Sequence, residues 1–206
     1  MRPGAPELYA SAEASRVASH GREWPFRCKW RRQGCRQARN SKEARRRTNM
    51  NPTVKELTSD FLGQQRIAIA GVSRTDRNAP GNIIYRKLRD AGYEVFALNP
   101  HTAVAENDPC YSNLKALPRK VDAIVIATAP ETATKLLREC AEAGVSRVWL
   151  HRSFGAGSVS REAEEFCRDH QMTVIAGGCP MMFCQPVDWA HRCMRWVLAA
   201  TGGLPK

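Results

Sequence analysis

Between residues 66 and 176 the chain repeats one pattern: a short apolar run, a stop, then a stretch with helical spacing. The apolar runs are Arg66–Ala70, 93–98, 122–127, Arg147–Leu150 and Thr173–Ala176. They are almost continuously apolar rather than alternating, as strands are when both faces are covered. The intervening stretches are 81–91, with Ile84 and Leu88 four apart, then 132–143, with Leu136, Leu137 and Cys140 on one side, then 160–170. Gly92 and Gly144 close the first two, and Pro100 ends the second apolar run. Strands alternating with helices imply a parallel sheet with helices on both faces. Right-handed crossovers leave few topologies. The expectation is a Rossmann-like, doubly wound α/β fold with a five-stranded parallel sheet in the order 3-2-1-4-5.

A helix should precede this pattern and another should follow it. Thr53 and Glu56 have the spacing of a capping box, ahead of Leu57, Phe61 and Leu62, and Gly63 is the stop. At the other end, residues 187–200 are amphipathic, with Trp189, Cys193, Trp196 and Val197 as the apolar side, before Gly202 and Gly203.

The 206 residues suit one domain with its own core. The net charge of +12 suggests a nucleic-acid partner, but 13 of the 32 Arg and Lys, against 4 of the 20 Asp and Glu, fall in residues 1–49. The expected organisation is a basic, disordered tail over 1–49 and a folded domain over 50–206. Trp24, Phe26 and Trp30 among the arginines can stack on bases, which makes nucleic-acid binding by the tail an alternative role. Met50 stands directly before the capping box, so a start there would leave the tail out. No apolar run reaches the roughly 18 residues that span a bilayer, and the N-terminus lacks a secretory signal pattern. The eight cysteines lie largely in apolar or helical patterns, which fits reduced thiols and a cytoplasmic protein.

In an open parallel sheet, ligands bind beyond the carboxyl ends of the strands, beside strand 1. Loops beginning at Gly71, Asn99, Thr128 and His151 should meet there. In the first, Gly71 permits a sharp turn and close approach. Ser73 can bond a phosphate oxygen, Arg74 and Arg77 can add charge, and Gly81 and Asn82 fall at a helix N-terminus that favours anions. The loop lacks the G-x-G-x-x-G spacing of dinucleotide enzymes. The second strand ends in Asn99 and Pro100 instead of an acidic residue for ribose hydroxyls. Both features argue against NAD or FAD.

The ordered set of Ile67 to Arg74, Gly92 to Pro100, Cys110 to Leu114, Val121 to Ile126, Ala143 to Val145, and Val148 with Trp149 resembles the CoA-binding domain family. That family shares its Rossmann-like fold with the N-terminal domain of the succinyl-CoA synthetase α subunit. The resemblance covers about residues 54–180. It implies that Gly71, Ser73 and Arg74 surround the phosphates of coenzyme A, with Asn99 and Pro100 along the adenosine. Thr128, Ala129 and Pro130 would line the pantetheine slot, and the loop after the fourth strand would close the far side. In that loop the chain departs from the small family members: His151 and Arg152 precede Gly155 and Gly157, and can hold an acidic acyl group or phosphate. The synthetase's phosphohistidine belongs to a further domain and does not carry over.

After the fifth strand come Cys179, Pro180, Cys184, Asp188, His191 and Cys193. As metal ligands, Cys179, Cys184, His191 and Cys193 have four, six and one residues between them, unlike a finger or ribbon, and His191 and Cys193 would point about 200° apart on a helix. The expectation is therefore no metal. Cys179 can instead face the CoA thiol in an exchange role, or simply pack. Asp188 and His191, three apart, form either an acid–base pair or a local hydrogen bond.

The chain is therefore expected to hold coenzyme A or an acyl-CoA without catalysing a reaction. The alternative is an enzyme acting on a CoA thioester or mixed disulfide through Cys179 or His151.

Overall fold

The computed structural model describes residues 52–152 and 157–204. The basic segment 1–49 and the glycine-containing part of the loop after the fourth expected strand, 153–156, lie outside them. The described residues open with α1 (Val54–Leu62). The hydroxyl of Thr53 accepts from the backbone N–H of Glu56, and the Glu56 carboxylate accepts from the backbone N–H of Thr53, closing the capping box.

The sheet contains β1 (Arg66–Ala70), β2 (Glu94–Leu98), β3 (Val104–Ala105), β4 (Asp108–Tyr111), β5 (Ala123–Ile126), β6 (Arg147–Leu150) and β7 (Thr173–Ala176), in the order β3-β4-β2-β1-β5-β6-β7. The helices are α2 (Pro80–Asp90), α3 (Pro130–Ala143), α4 (Arg161–Asp169) and α5 (Trp189–Ala200). All pairings are parallel except β3 with β4.

Two expectations are corrected. The sheet has seven strands rather than five, and the run 122–127 is not the outer neighbour of β2. As β5 it lies on the other side of β1, with Ala68 opposite Ile124. The outer position belongs to β4, whose four residues include Pro109 and which pairs with β2 only through Ala97–Cys110 and Leu98–Tyr111. A proline is tolerated there because the strand is short and near the edge. β3 then folds back on β4 through Glu106 and Asn107, both at positive φ. Counting β4 as the third parallel strand gives the order 3-2-1-4-5-6, the doubly wound arrangement.

Successive residues of each strand serve opposite faces. Ile67, Ile69, Ala97, Ala123, Val125, Trp149 and Ile175 pack with Leu57 and Phe61 of α1 and with Ile84, Tyr85 and Leu88 of α2. Ala68, Ala70, Leu98, Ile124, Ile126, Val148 and Leu150 pack with Ala133, Leu137 and Cys140 of α3 and Ala163 and Cys167 of α4. Both faces of the sheet are therefore closed, which accounts for the unbroken apolar runs. Trp149, wholly buried, meets Phe61 edge-on at 5.2 Å between ring centres, and its Nε1 donates to the carbonyl of Gly177.

The expected apolar side of α5 is also reversed. Met194 and Leu198 pack on the core, whereas Trp189, Trp196 and Val197 are exposed, at 79%, 74% and 50%. The helix carries apolar residues on both sides, so periodicity alone does not choose between them. Among the described residues no helix is long and apolar enough to cross a membrane.

Candidate functional site

A cavity of about 440 Å³ opens at the carboxyl edge of the sheet, where β1, β2 and β5 end. That is an ordinary size for a small-molecule site. One wall is Ala70 and Gly71 after β1, another is Leu98, Asn99, Pro100 and His101 after β2, with Ser112 following β4. The opposite wall is Thr128 and one side of α3: Thr132, Lys135, Leu136 and Glu139. These four α3 residues recur at three- and four-residue intervals, so they share a helix face.

The backbone at the mouth of β1 is tightly packed. Gly71 has φ +94, and a Cβ there would collide with the carbonyl oxygen of Ala127 at the end of β5. A Cβ on Gly81, in the first turn of α2, would collide with the carbonyl of Gly71. The two glycines let three backbone segments touch where the sheet opens.

The loop after Gly71 is held by its own polar groups. The hydroxyl of Ser73 accepts from the backbone N–H groups of Thr75 and Asp76 at 3.2 and 3.0 Å. Asn82, 1% exposed, accepts from the backbone N–H of Ser73 and donates through Nδ2 to the Ser73 carbonyl and to Glu106, all within 2.8 Å. The Glu106 side chain, 2% exposed, also receives Arg86 at 2.7 Å and faces Arg77 at 3.6 Å. Burial alone would raise the pKa of Glu106. The bonds from Asn82 and Arg86, with the charges of Arg86 and Arg77, outweigh burial and hold it below the usual range. Arg74 is exposed.

Asn99 links the second wall to the first. Its Nδ2 donates to the carbonyl of Val72 and its Oδ1 accepts from the N–H of His101, both at 2.8 Å. On the third side, the carbonyl of Thr128 accepts from the hydroxyl of Ser158 at 2.6 Å. Ala129 caps α3 and Pro130 is its first residue.

His151 is 6% exposed, and burial lowers its pKa to about 4, so the imidazole is neutral at pH 7. Its backbone N–H donates to Ile126 and its carbonyl accepts from Ser158. Arg152 donates its backbone N–H to Gly178, and its guanidinium lies over Gly177.

Of the residues the sequence singled out, Gly71, Asn99, Pro100 and Thr128 line the cavity. Ser73, Arg74, Asn82, Ala129, Pro130, His151 and Arg152 are not among the residues that line it. Sequence reasoning missed His101, Ser112, Thr132, Lys135, Leu136 and Glu139. The helical period gave α3 a face toward the core, but not which of its flanks overlooks the strand ends.

The C-terminal candidates separate. Cys179 is 3% exposed and Cys184 2% exposed in the core, whereas Cys193 is exposed on α5. Asp188 is the N-cap of α5: one oxygen accepts from the N–H of His191 at 3.0 Å, and the other lies 2.7 Å from its Nδ1. That backbone bond, followed by the contact with the ring, lowers the pKa of Asp188. The pair is a local capping contact. Burial pushes the thiols of Cys140 and Cys167 up to about 12.

A doubly wound parallel sheet with a glycine-tight bend after its first strand, and a cavity where the neighbouring strands end, defines a Rossmann-like ligand-binding domain. The family model described as CoA binding domain matches residues 65–185, and the chain belongs to that family. It is 27% identical over 130 residues to the uncharacterized protein YneT of Bacillus subtilis, spanning 63% of this chain and 92% of that one. It is 26% identical over 101 residues to acetate–CoA ligase [ADP-forming] II of Archaeoglobus fulgidus, covering 48% of this chain but 15% of the ligase. Among solved structures, a hypothetical protein from Pyrococcus horikoshii OT3 superposes with a TM-score of 0.57 at 21% identity, over 64% of this chain and 89% of that one. That likeness concerns the fold alone.

Proposed function

We propose that this domain binds coenzyme A or an acyl-CoA at the carboxyl edge of its sheet, and holds it without chemistry of its own. The observation that carries the reading is the cavity beside Gly71, Asn99, Pro100 and Thr128, in a chain of the CoA binding domain family. The phosphates lie near Gly71 and the first loop, with Arg74 the exposed cation beside them. The adenosine follows Asn99 and Pro100. Pantetheine leaves past Thr128, Ala129 and Pro130, and His151 and Arg152 stand on the far side. A binding role in the cytoplasm suits Cys110, Cys140, Cys167 and Cys184, which are buried as thiols.

The burial of Cys179 at 3% exposure gives little access for thiol exchange. His151 is 6% exposed and does not line the cavity. Both observations support the non-catalytic reading over an enzyme of CoA thioesters or mixed disulfides.

Isothermal titration of the whole chain with CoA, dephospho-CoA, NAD and ATP tests the proposal. CoA should bind one to one and most tightly. Tight binding of NAD without CoA overturns it. Incubation with acetyl-CoA should release no thiol above the uncatalysed rate; turnover lost in Cys179→Ser would make the protein an enzyme.

A further inference from the structure

Helix α5 leaves an apolar face uncovered. With Met194 and Leu198 packed on the core, Trp189, Cys193, Trp196 and Ala200 fall on the opposite side. They recur at intervals of four, three and four residues, all exposed and all within about 60° of one another around the axis. Trp189 and Trp196 are 79% and 74% exposed, and no charged side chain falls inside the stripe. Arg192 flanks it on one side and Val197 on the other. Beside Trp196 lies a groove of about 710 Å³, walled also by Val187, Arg192, Ala199 and Leu204. It shares no residue with the cavity at the sheet edge. One helix thus carries a protruding indole and, about 10 Å further along its axis, a hollow.

We infer that this face is the contact between two copies of the chain, paired about a twofold axis with their α5 helices antiparallel. The midpoint of Trp189 and Trp196 falls between Arg192 and Cys193. An axis there sets Trp189 of each copy level with Trp196 of the other, at the mouth of the groove, so one contact is made twice. Arg192, on the groove wall, then meets an indole face, and the two Cys193 thiols come together near the axis. The area suffices. An indole buries up to about 250 Å², so these two, at 79% and 74% exposure, offer up to about 380 Å² per copy. With Val197, Ala200 and the groove wall, the pair of copies removes on the order of 1,000 Å² from water, the lower limit for a specific interface. A single exposed hydrophobic needs no partner, but a contiguous patch of this size marks a contact. The fit selects a second copy as that partner. The hollow requires a protruding apolar group, the twofold brings one to the same level from the same helix, and the stripe holds no charge to repel its own copy.

Sedimentation velocity of the full chain between about 1 and 200 µM tests this, a range that brackets the dissociation of so small an interface. The mass should rise from one copy to two and no further, because a twofold contact closes. Trp189→Ala and Trp196→Ala should each weaken the dimer about tenfold or more. Both should leave the melting temperature of the dilute protein unchanged, since the two side chains are exposed in a single copy. A short bismaleimide should join Cys193 to Cys193 of the second copy in wild type, identified by mass spectrometry of the linked peptide, and should fail to do so in Trp196→Ala.

A chain that stays monomeric throughout overturns the inference, as does a dimer that survives both substitutions. So does a monomer that carries this face onto phosphatidylglycerol vesicles, or one whose Cys193 is shielded from alkylation until residues 1–49 are removed. The face would then belong to a lipid surface or to that segment. None of these outcomes bears on CoA binding.

Discussion

The two flanks of the opening beside β1 treat polar groups in opposite ways. On the loop side, Ser73, Asn82, Glu106, Arg86 and Arg77 are bonded to one another or to backbone. On the α3 side, Lys135 and Glu139 line the cavity, and one Glu139 oxygen is buried with no hydrogen-bond partner among the described residues. Three of the loop residues, Ser73, Arg77 and Asn82, are ones that sequence reasoning assigns to the ligand, yet their polar groups already bond within the bend. The comparison teaches that a polar residue next to a site is informative only once its partners are known. A satisfied group builds the backbone, and an unsatisfied one is available to a ligand.

The hardest test of this contrast is Gly71, the point where both flanks meet. Gly71→Ala places a Cβ against the Ala127 carbonyl at φ +94. Left-handed strain together with overpacking should cost about 3 kcal/mol or more, or roughly 10 °C in thermal melting. A variant that melts like wild type would show that the three segments do not depend on that close approach.

The next test is one of pH. Burial lowers the pKa of His151 to about 4 in the folded protein, while an unfolded histidine titrates near 6.5. As pH falls from 6.5 to 4, the unfolded chain takes up a proton that the folded chain refuses, so stability declines through that window and is whole above it. The loss amounts to about 3 kcal/mol. Urea unfolding of wild type and His151→Gln across pH 4 to 7 should show the slope in the first and not in the second. If His151 is scaffold, as the loop-side residues are, saturating CoA should leave the slope in place. A slope that disappears with CoA would put the imidazole on the ligand.

Much of this architecture is written in the sequence, and the gaps have physical causes. The runs of β1, β2, β5, β6 and β7 were legible because a strand covered on both faces must be apolar throughout. β4 was not, because a four-residue strand one place from the edge, with Pro109 and only two residues paired to β2, leaves little pattern. Missing it displaced 122–127 to the wrong side of β1. With that displacement went the geometry that brings α3 over the ends of β1 and β2, which is why Lys135 and Glu139 went unnoticed while Gly71 and Asn99 did not. Asn82 was legible as special, but its partners were not: its carboxamide joins Ser73 to Glu106.

That junction supplies a third expectation. Glu106→Ala removes a buried acceptor and leaves the Asn82 amide and Arg86 without their shared partner, which should cost about 2 kcal/mol. Because the folded pKa of Glu106 is lowered, its contribution is whole above the ordinary glutamate value and is lost as pH falls through the folded one. The gap between wild type and variant should therefore close in acid. CoA affinity should fall with stability, and Glu106→Gln should restore part of both, as a positioning role requires. Full affinity in a destabilised Glu106→Ala would separate the bend from the ligand.

The finest discrimination falls on Ser73. As scaffold, its hydroxyl accepts from Thr75 and Asp76 in an exposed turn, and Ser73→Ala should cost about 1 kcal/mol of stability with only a small loss of CoA affinity. As a phosphate ligand, the same substitution should weaken CoA, dephospho-CoA and 4′-phosphopantetheine alike. The melting temperature cannot separate the two roles, since the turn is lost in both; the affinity can. Reduced affinity for every phosphorylated ligand, at a stability cost no larger than that of the turn, would make Ser73 a group that both builds and binds. The division between partnered and unpartnered flanks would then give way to one in which the ligand displaces bonds the loop makes with itself.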